Sequence, residues 1–278
     1  MNVLLVGPTG SGKTASIQHL ANLLKVPFFE GDASTFTRTG YVGDSVGSMI
    51  EGLLKACDYD VSKAQKGIIF MDELDKLSCK DTEGRRDITG SDVQAELLKL
   101  IEGKDYLVKQ KTGDAEITHT VKTSQILFIG GGAFTDLPKK EGDYTPQDLV
   151  AIGMKPELMG RFGRVICFEG MTKEKLAAIL RSPTVSPILE AEMLMRLGYR
   201  IKIDFDDSCL DLIAEKAHEL GMGARGLFTV VDRILEPIIA DSETHRSKSI
   251  TINATMIPKE FLVPKAEPKF EAWRTMYM

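Results

Sequence analysis

Residues 7–14 read Gly7-Pro8-Thr9-Gly10-Ser11-Gly12-Lys13-Thr14, directly after the apolar run Asn2-Val3-Leu4-Leu5-Val6. A short buried strand entering a glycine-rich turn is the setting of a phosphate-binding P-loop. The glycines allow consecutive backbone N–H groups to converge on phosphate oxygens. Lys13 reaches the β- and γ-phosphates, and the Thr14 hydroxyl is a ligand for Mg²⁺. The pattern Ala15, Ile17, Leu20, Ala21, Leu24 predicts a helix from Thr14 whose positive end faces the phosphates. The implied ligand is a nucleoside triphosphate.

The second constellation is Gly67-Ile68-Ile69-Phe70-Met71-Asp72-Glu73, a buried strand ending in two acids. This is Walker B chemistry. Asp72 supports Mg²⁺, directly or through water, and Glu73 polarises the water that attacks the γ-phosphate. Two acids rather than a lone aspartate favour hydrolysis over a binding-only switch.

These residues need a scaffold that brings strand ends together. Candidate strands are 2–6, 26–30, 67–71, 125–130 and 164–168, with helical patterns at 14–24, 45–56 and 91–102. The alternation implies an α/β domain, a parallel sheet covered by helices on both faces, ending near Gly170. Residues 104–123 read as a hairpin inserted before the fourth strand. Beyond it, residues 173–197 predict a long helix with Pro183 and Pro187 as break points. A strand is expected at Tyr199–Ile203, then a helix capped by Asp206 or Asp207 and running to Leu220. Leu227, Val230, Val231, Ile234, Leu235 and Ile238 form one stripe of a helix over 224–240, and a strand follows at 249–253. The expected organisation is a nucleotide-binding domain over 1–170, a small, mainly helical α+β domain over 171–257, and a tail over 258–278.

Composition narrows the function. The 278 residues are 43% hydrophobic and 27% charged, with a net charge of −5. That balance suits a globular protein and argues against a general nucleic-acid-coating surface. No apolar run approaches the roughly 20 residues of a membrane span, and no secretory leader is expected. Cys57, Cys79, Cys167 and Cys209 lack zinc-ribbon spacing, so no zinc is expected and reduced thiols in the cytoplasm are.

The motifs together resemble the ClpX family of AAA+ protein unfoldases. The P-loop is followed by Thr39-Gly40-Tyr41-Val42-Gly43-Asp44, Cys57-Asp58-Tyr59-Asp60-Val61 and Ala64-Gln65-Lys66-Gly67. Leu98-Lys99-Leu100-Ile101-Glu102-Gly103, Gly131-Gly132-Ala133-Phe134 and Gly223-Ala224-Arg225-Gly226-Leu227 continue the match over about residues 1–255. The resemblance implies an AAA+ domain with a small lid and a homo-oligomeric ring, a hexamer. ATP and Mg²⁺ are its implied cofactors, and unfolded or tagged proteins its substrates. It places Tyr41 and Val42 on a pore loop that grips polypeptide. A flat aromatic ring can grip many sequences through contact area. Arg161 matches the arginine finger that reaches the neighbouring subunit's nucleotide, with Arg164 a competing candidate. Arg225 matches a nucleotide sensor on the lid, and Arg85 and Arg86 fall where a second pore loop or a solvated turn is expected.

The sequence also departs from the family. No counterpart of the family's zinc domain or of the helical segment before its first strand is expected, which leaves adenine selectivity open. Gly130-Gly131-Gly132 stands where a polar sensor is expected. No Ile-Gly-Phe occurs between Phe134 and Pro156, the span that in the family carries the loop docking on the ClpP peptidase. Lys139-Lys140-Glu141-Gly142-Asp143 reads as a solvated turn, and docking on ClpP is not expected. An alternative function is a nucleotide-dependent scaffold or remodelling adaptor without unfolding activity.

Overall fold

The computed structural model describes residues 1–36, 45–79, 88–113, 115–138 and 142–257. The chain divides after Gly170 into two compact units. The first contains β1 (Asn2–Val6), α1 (Lys13–Leu24), β2 (Phe28–Asp32), α2 (Ser48–Lys55), α3 (Val61–Ala64) and β3 (Ile68–Asp72). It continues with α4 (Ile88–Ile101), β4 (Asp105–Thr112), β5 (Ala115–Lys122), β6 (Leu127–Gly132), α5 (Pro146–Ala151), α6 (Pro156–Met159) and β7 (Phe162–Cys167).

Five strands form one sheet in the order β2-β3-β6-β1-β7, and every neighbouring pair is parallel. The continuous apolar runs have a simple cause. Side chains alternate between faces, and both faces are covered. Leu4, Val6, Ile69, Met71 and Phe128 enter the larger core. Leu5, Ile68, Phe70 and Ile129 enter a second core with Ile17 and Ala21 of α1. β4 and β5 form a separate antiparallel hairpin, as expected from the residues between α4 and β6.

This order fixes where chemistry is possible. Chain leaving β1 runs through α1 to the far edge, whereas β7 lies on the opposite side of β1. The carboxyl ends at such a switch point form the ligand crevice of open α/β sheets. The P-loop leaves the carboxyl end of β1, and Asp72 and Glu73 stand at that of β3, with β6 between them.

The second unit holds α7 (Lys173–Leu180), α8 (Pro187–Leu194), β8 (Lys202–Phe205), α9 (Asp207–Glu219), α10 (Arg225–Ala240) and β9 (Ser249–Ile252). Asp206 caps α9 by accepting from Ser208 N–H at 2.8 Å. The predicted stripe of α10 is buried from Leu227 to Ile238, against Leu176, Ile213 and Ala217. The segment 173–197 breaks at the expected prolines, and Ser186 caps a new helix start with Pro187 as its first residue. One expectation needs correction. The strand expected at Tyr199–Ile203 begins at Lys202, because Met195–Tyr199 is a π-turn closed by Arg200 in the left-handed conformation (φ 57°).

Candidate active site

The P-loop is built as its sequence requires. Gly12 takes φ 87°, a conformation that L side chains resist, and its turn delivers Lys13 as the first residue of α1. No side chain caps α1 and its first turn carries no acid, so the first N–H groups point toward the loop without an internal acceptor. Ser11 Oγ is buried with no hydrogen-bond partner. A buried hydroxyl without a partner in an N–H-rich turn fits an oxygen-rich anion. Lys13 is 7% exposed and its ammonium donates to the carbonyls of Gly7 at 2.7 Å and Pro8 at 3.0 Å, which folds the cation over the loop.

Thr14 Oγ1 donates to Asp72 Oδ2 at 3.1 Å. Residues 58 positions apart thus meet across β6 and present a hydroxyl and a carboxylate at one point, a donor set that suits a hard oxygen-seeking cation such as Mg²⁺. The other oxygen, Asp72 Oδ1, accepts from Glu73 N–H at 2.9 Å. Glu73 itself is exposed and left-handed (φ 54°). A non-glycine residue in that region carries strain, and strain of this kind clusters at functional sites.

The glycine triplet ending β6 has a packing cause. A Cβ on Gly132 would meet Asp75 Oδ1 at 2.6 Å and the Phe134 ring at 2.6 Å. Asp75 accepts from the N–H groups of Ala133 and Phe134, both at 3.3 Å. A carboxylate from the turn after β3, rather than a side chain of β6, therefore forms the polar link between these strand ends. Sequence reasoning passed over Asp75. The available signal was an acid three residues after Asp72, on the single turn Leu74–Leu77.

Arg161 lies between α6 and β7, half exposed, and its Nη2 donates to Glu102 Oε1 at 2.7 Å. Asn2 Nδ2 reaches the Arg161 carbonyl at 3.3 Å. Arg164 is an exposed residue of β7. Arg225 is the exposed first residue of α10, in the second unit. The candidate pore residues Tyr41 and Val42 lie outside the described residues, as do Arg85, Arg86 and most of the turn at 139–143. Ile152-Gly153-Met154 forms the turn after α5, where Gly153 packs on the Cys79 backbone and Met154 is buried.

The four cysteines are free. Burial pushes the Cys57 and Cys209 thiols above their ordinary range, which disfavours the thiolate needed for nucleophilic work or metal ligation. Among the described residues no group of three or more His, Cys, Asp or Glu side chains could hold a metal ion.

Comparison with known proteins follows the same division. Residues 1–165 match the family described as AAA domain (Cdc48 subfamily), and residues 172–252 match the C-terminal, D2-small domain of ClpB protein. A relative from Wolinella succinogenes, named ATP-dependent Clp protease ATP-binding subunit ClpX 2, is 36% identical over 97% of this chain and 73% of its own length. The ClpX subunit of Treponema denticola is 34% identical over 95% of this chain and 71% of its own length. That of Porphyromonas gingivalis is 33% identical, over 91% and 69%.

Proposed function

Because the chain belongs to the ClpX-like Clp family of AAA+ ATPases, we propose that this ATPase works as a hexameric ring that unfolds proteins and threads them through a central pore. The observation that carries the nucleotide part is the contact of Thr14 with Asp72 beside a buried, partnerless Ser11 hydroxyl.

In this reading Gly7–Thr14 cradle ATP, and Thr14 with Asp72 hold Mg²⁺, which supplies charge neutralisation at the phosphate oxygens. Lys13 swings from the Gly7 and Pro8 carbonyls to the phosphates. Glu73 orients water and accepts its proton as the γ-phosphorus is attacked. Arg161 leaves Glu102 to stabilise charge on the nucleotide of an adjacent subunit. That exposed ion pair costs little to break, since surface pairs contribute about 0–1 kcal/mol. Arg225 reports the nucleotide state from the lid, and Tyr41 and Val42 pull polypeptide as the lid moves. Among the described residues no helix is long and apolar enough to cross a membrane, and a cytoplasmic location belongs to the same proposal.

ATP turnover is expected to rise with a chemically unfolded polypeptide and to be unchanged by single- or double-stranded DNA. Stimulation by DNA would favour a nucleic-acid motor. A rate indifferent to polypeptide would favour the scaffold alternative.

A stable complex with ClpP is not part of this proposal. Several docking loops per ring bind by avidity, which can exceed single-loop affinity by roughly 10²–10⁴-fold and vanishes with the loops. Phe134 to Pro156 offers no Ile-Gly-Phe and is largely used by the turn at Phe134–Leu137, by α5 and by the turn at Gly153. Co-sedimentation with ClpP in slowly hydrolysed ATP is expected to recover the ring alone. A nucleotide-dependent complex would contradict this.

A further inference from the structure

We propose that Gln94 is a positioning residue for the segment that presents Arg161, linking the turn after Glu73 to the finger, an inference that rests on reading Arg161 as acting on the neighbouring subunit. Gln94 lies in the middle of α4 and is completely buried (0% exposed). Its Nε2 donates to the Leu77 carbonyl at 2.7 Å and reaches the Gly153 carbonyl at 3.4 Å. Its Oε1 accepts from Lys155 N–H at 2.7 Å. Two carbonyls on one side and an N–H on the other fix which end of the amide is which.

These partners come from different parts of the chain. Leu77 ends the turn that begins at Glu73, and that turn is bound to the sheet through Asp75. Gly153 and Lys155 lead directly into α6, and Arg161 follows it. Lys155 is the N-cap of α6 and supplies no side-chain cap of its own. The amide of Gln94 therefore ties the start of the finger segment to an element already fixed on the sheet.

The other end is held from the same helix. Gln94, Leu98 and Glu102 recur at intervals of four, which places them along one face of α4 and its exit. Glu102 N–H continues the helical bonding to the Leu98 carbonyl at 2.9 Å, and its carboxylate receives the Arg161 guanidinium. The helix thus grips the segment from Lys155 to Arg161 at both ends. Glu102 holds the guanidinium by an exposed ion pair that can open. Gln94, itself completely buried, holds the backbone of the segment by its amide. A mobile head on a fixed base is what a residue reaching across a subunit boundary requires.

The test uses assembled rings of the full chain and steady-state ATP turnover. Gln94→Met keeps length and apolar volume but leaves Lys155 N–H and the Leu77 carbonyl without their buried partner. It is expected to lower kcat by about 10- to 100-fold with KM for ATP little changed, as misplacement of a catalytic group does. The discriminating readout comes from mixing. Glu73→Gln subunits cannot hydrolyse but carry an intact finger segment. Mixed one to one with Gln94→Met subunits, they are expected to raise turnover per Gln94→Met subunit several-fold, because about half of those sites then face an intact finger. A purely structural fault inside the Gln94→Met subunit would not be repaired by its neighbour.

Arg161→Ala subunits mixed in the same way are the control. If neither mixture recovers activity, the finger reading fails and this proposal fails with it. If Arg161→Ala recovers and Gln94→Met does not, the finger stands and the role of Gln94 is refuted. A parental kcat for Gln94→Met also refutes it. Should Gln94→Met fail to assemble, Lys155→Pro makes the same test. Lys155 already has φ −67°, suited to proline, so that change removes the N–H that donates to Gln94, and Lys155→Ala, which loses the same side chain but keeps the N–H, is its control. A lowered kcat recovered by mixing supports the proposal, and an unchanged or unrecovered kcat overturns it.

Discussion

Replacing Glu73 by Gln is expected to lower steady-state ATP turnover at least about 10²-fold while leaving nucleotide binding intact. Gln has the same shape but cannot accept the proton of the attacking water. Nothing that holds phosphate is touched. The loop amides remain, Lys13 remains, and the Glu73 N–H that steadies Asp72 at 2.9 Å belongs to the backbone. The left-handed turn at Glu73 is no harder for Gln than for Glu. Lys13→Ala separates the two functions from the other side. It removes a charge-assisted bond worth about 1.5–3 kcal/mol, so ATP binding itself is expected to weaken by roughly 10- to 150-fold. Equilibrium binding of a fluorescent ATP analogue and turnover, measured on the same preparations, check both. Parental turnover in Glu73→Gln would remove Glu73 from the mechanism.

Much of this site is legible in the sequence because its local physics is strong. The run Asn2–Val6 has to be a strand buried on both faces, and a glycine turn ending in Lys13-Thr14 leaves few other uses. What the sequence does not reveal is convergence. Thr14 and Asp72 meet only because β6 slots between β1 and β3, and that pairing order is a tertiary outcome. Asp75 and Gln94 were missed for the same reason. Each is a single polar residue that bonds to chain about sixty positions away, Gln94 also to Leu77 closer by, and no periodicity marks it. Boundaries slipped where backbone chemistry intervened. Strand β2 starts at Phe28 rather than residue 26 because Pro27 has no N–H to give, although its carbonyl still accepts from Ile68 N–H at 2.8 Å. The break at Pro187 in the lid, by contrast, was legible from the proline itself, and Ser186 caps the new start. Arg161 and Arg225 carry no local signal that separates them from surface arginines, and their roles came from the family resemblance.

Turnover at this site is expected to do mechanical work on polypeptide. Tyr41→Ala isolates that coupling, because it removes the proposed gripping ring and none of the phosphate-binding groups. Its ATP turnover is expected to persist within about threefold of the parent, since no transition-state contact is lost. Its ability to unfold protein is expected to be largely abolished. The direct measurement is the loss of native fluorescence of a stable, tagged test protein, followed alongside ATP turnover with the parental and Tyr41→Ala rings. The parent is expected to unfold the tagged protein only with hydrolysable ATP, and the variant to continue turnover without unfolding it. A parental ring that hydrolyses ATP yet never unfolds the tagged protein, or a variant that unfolds it at the parental rate, would contradict this.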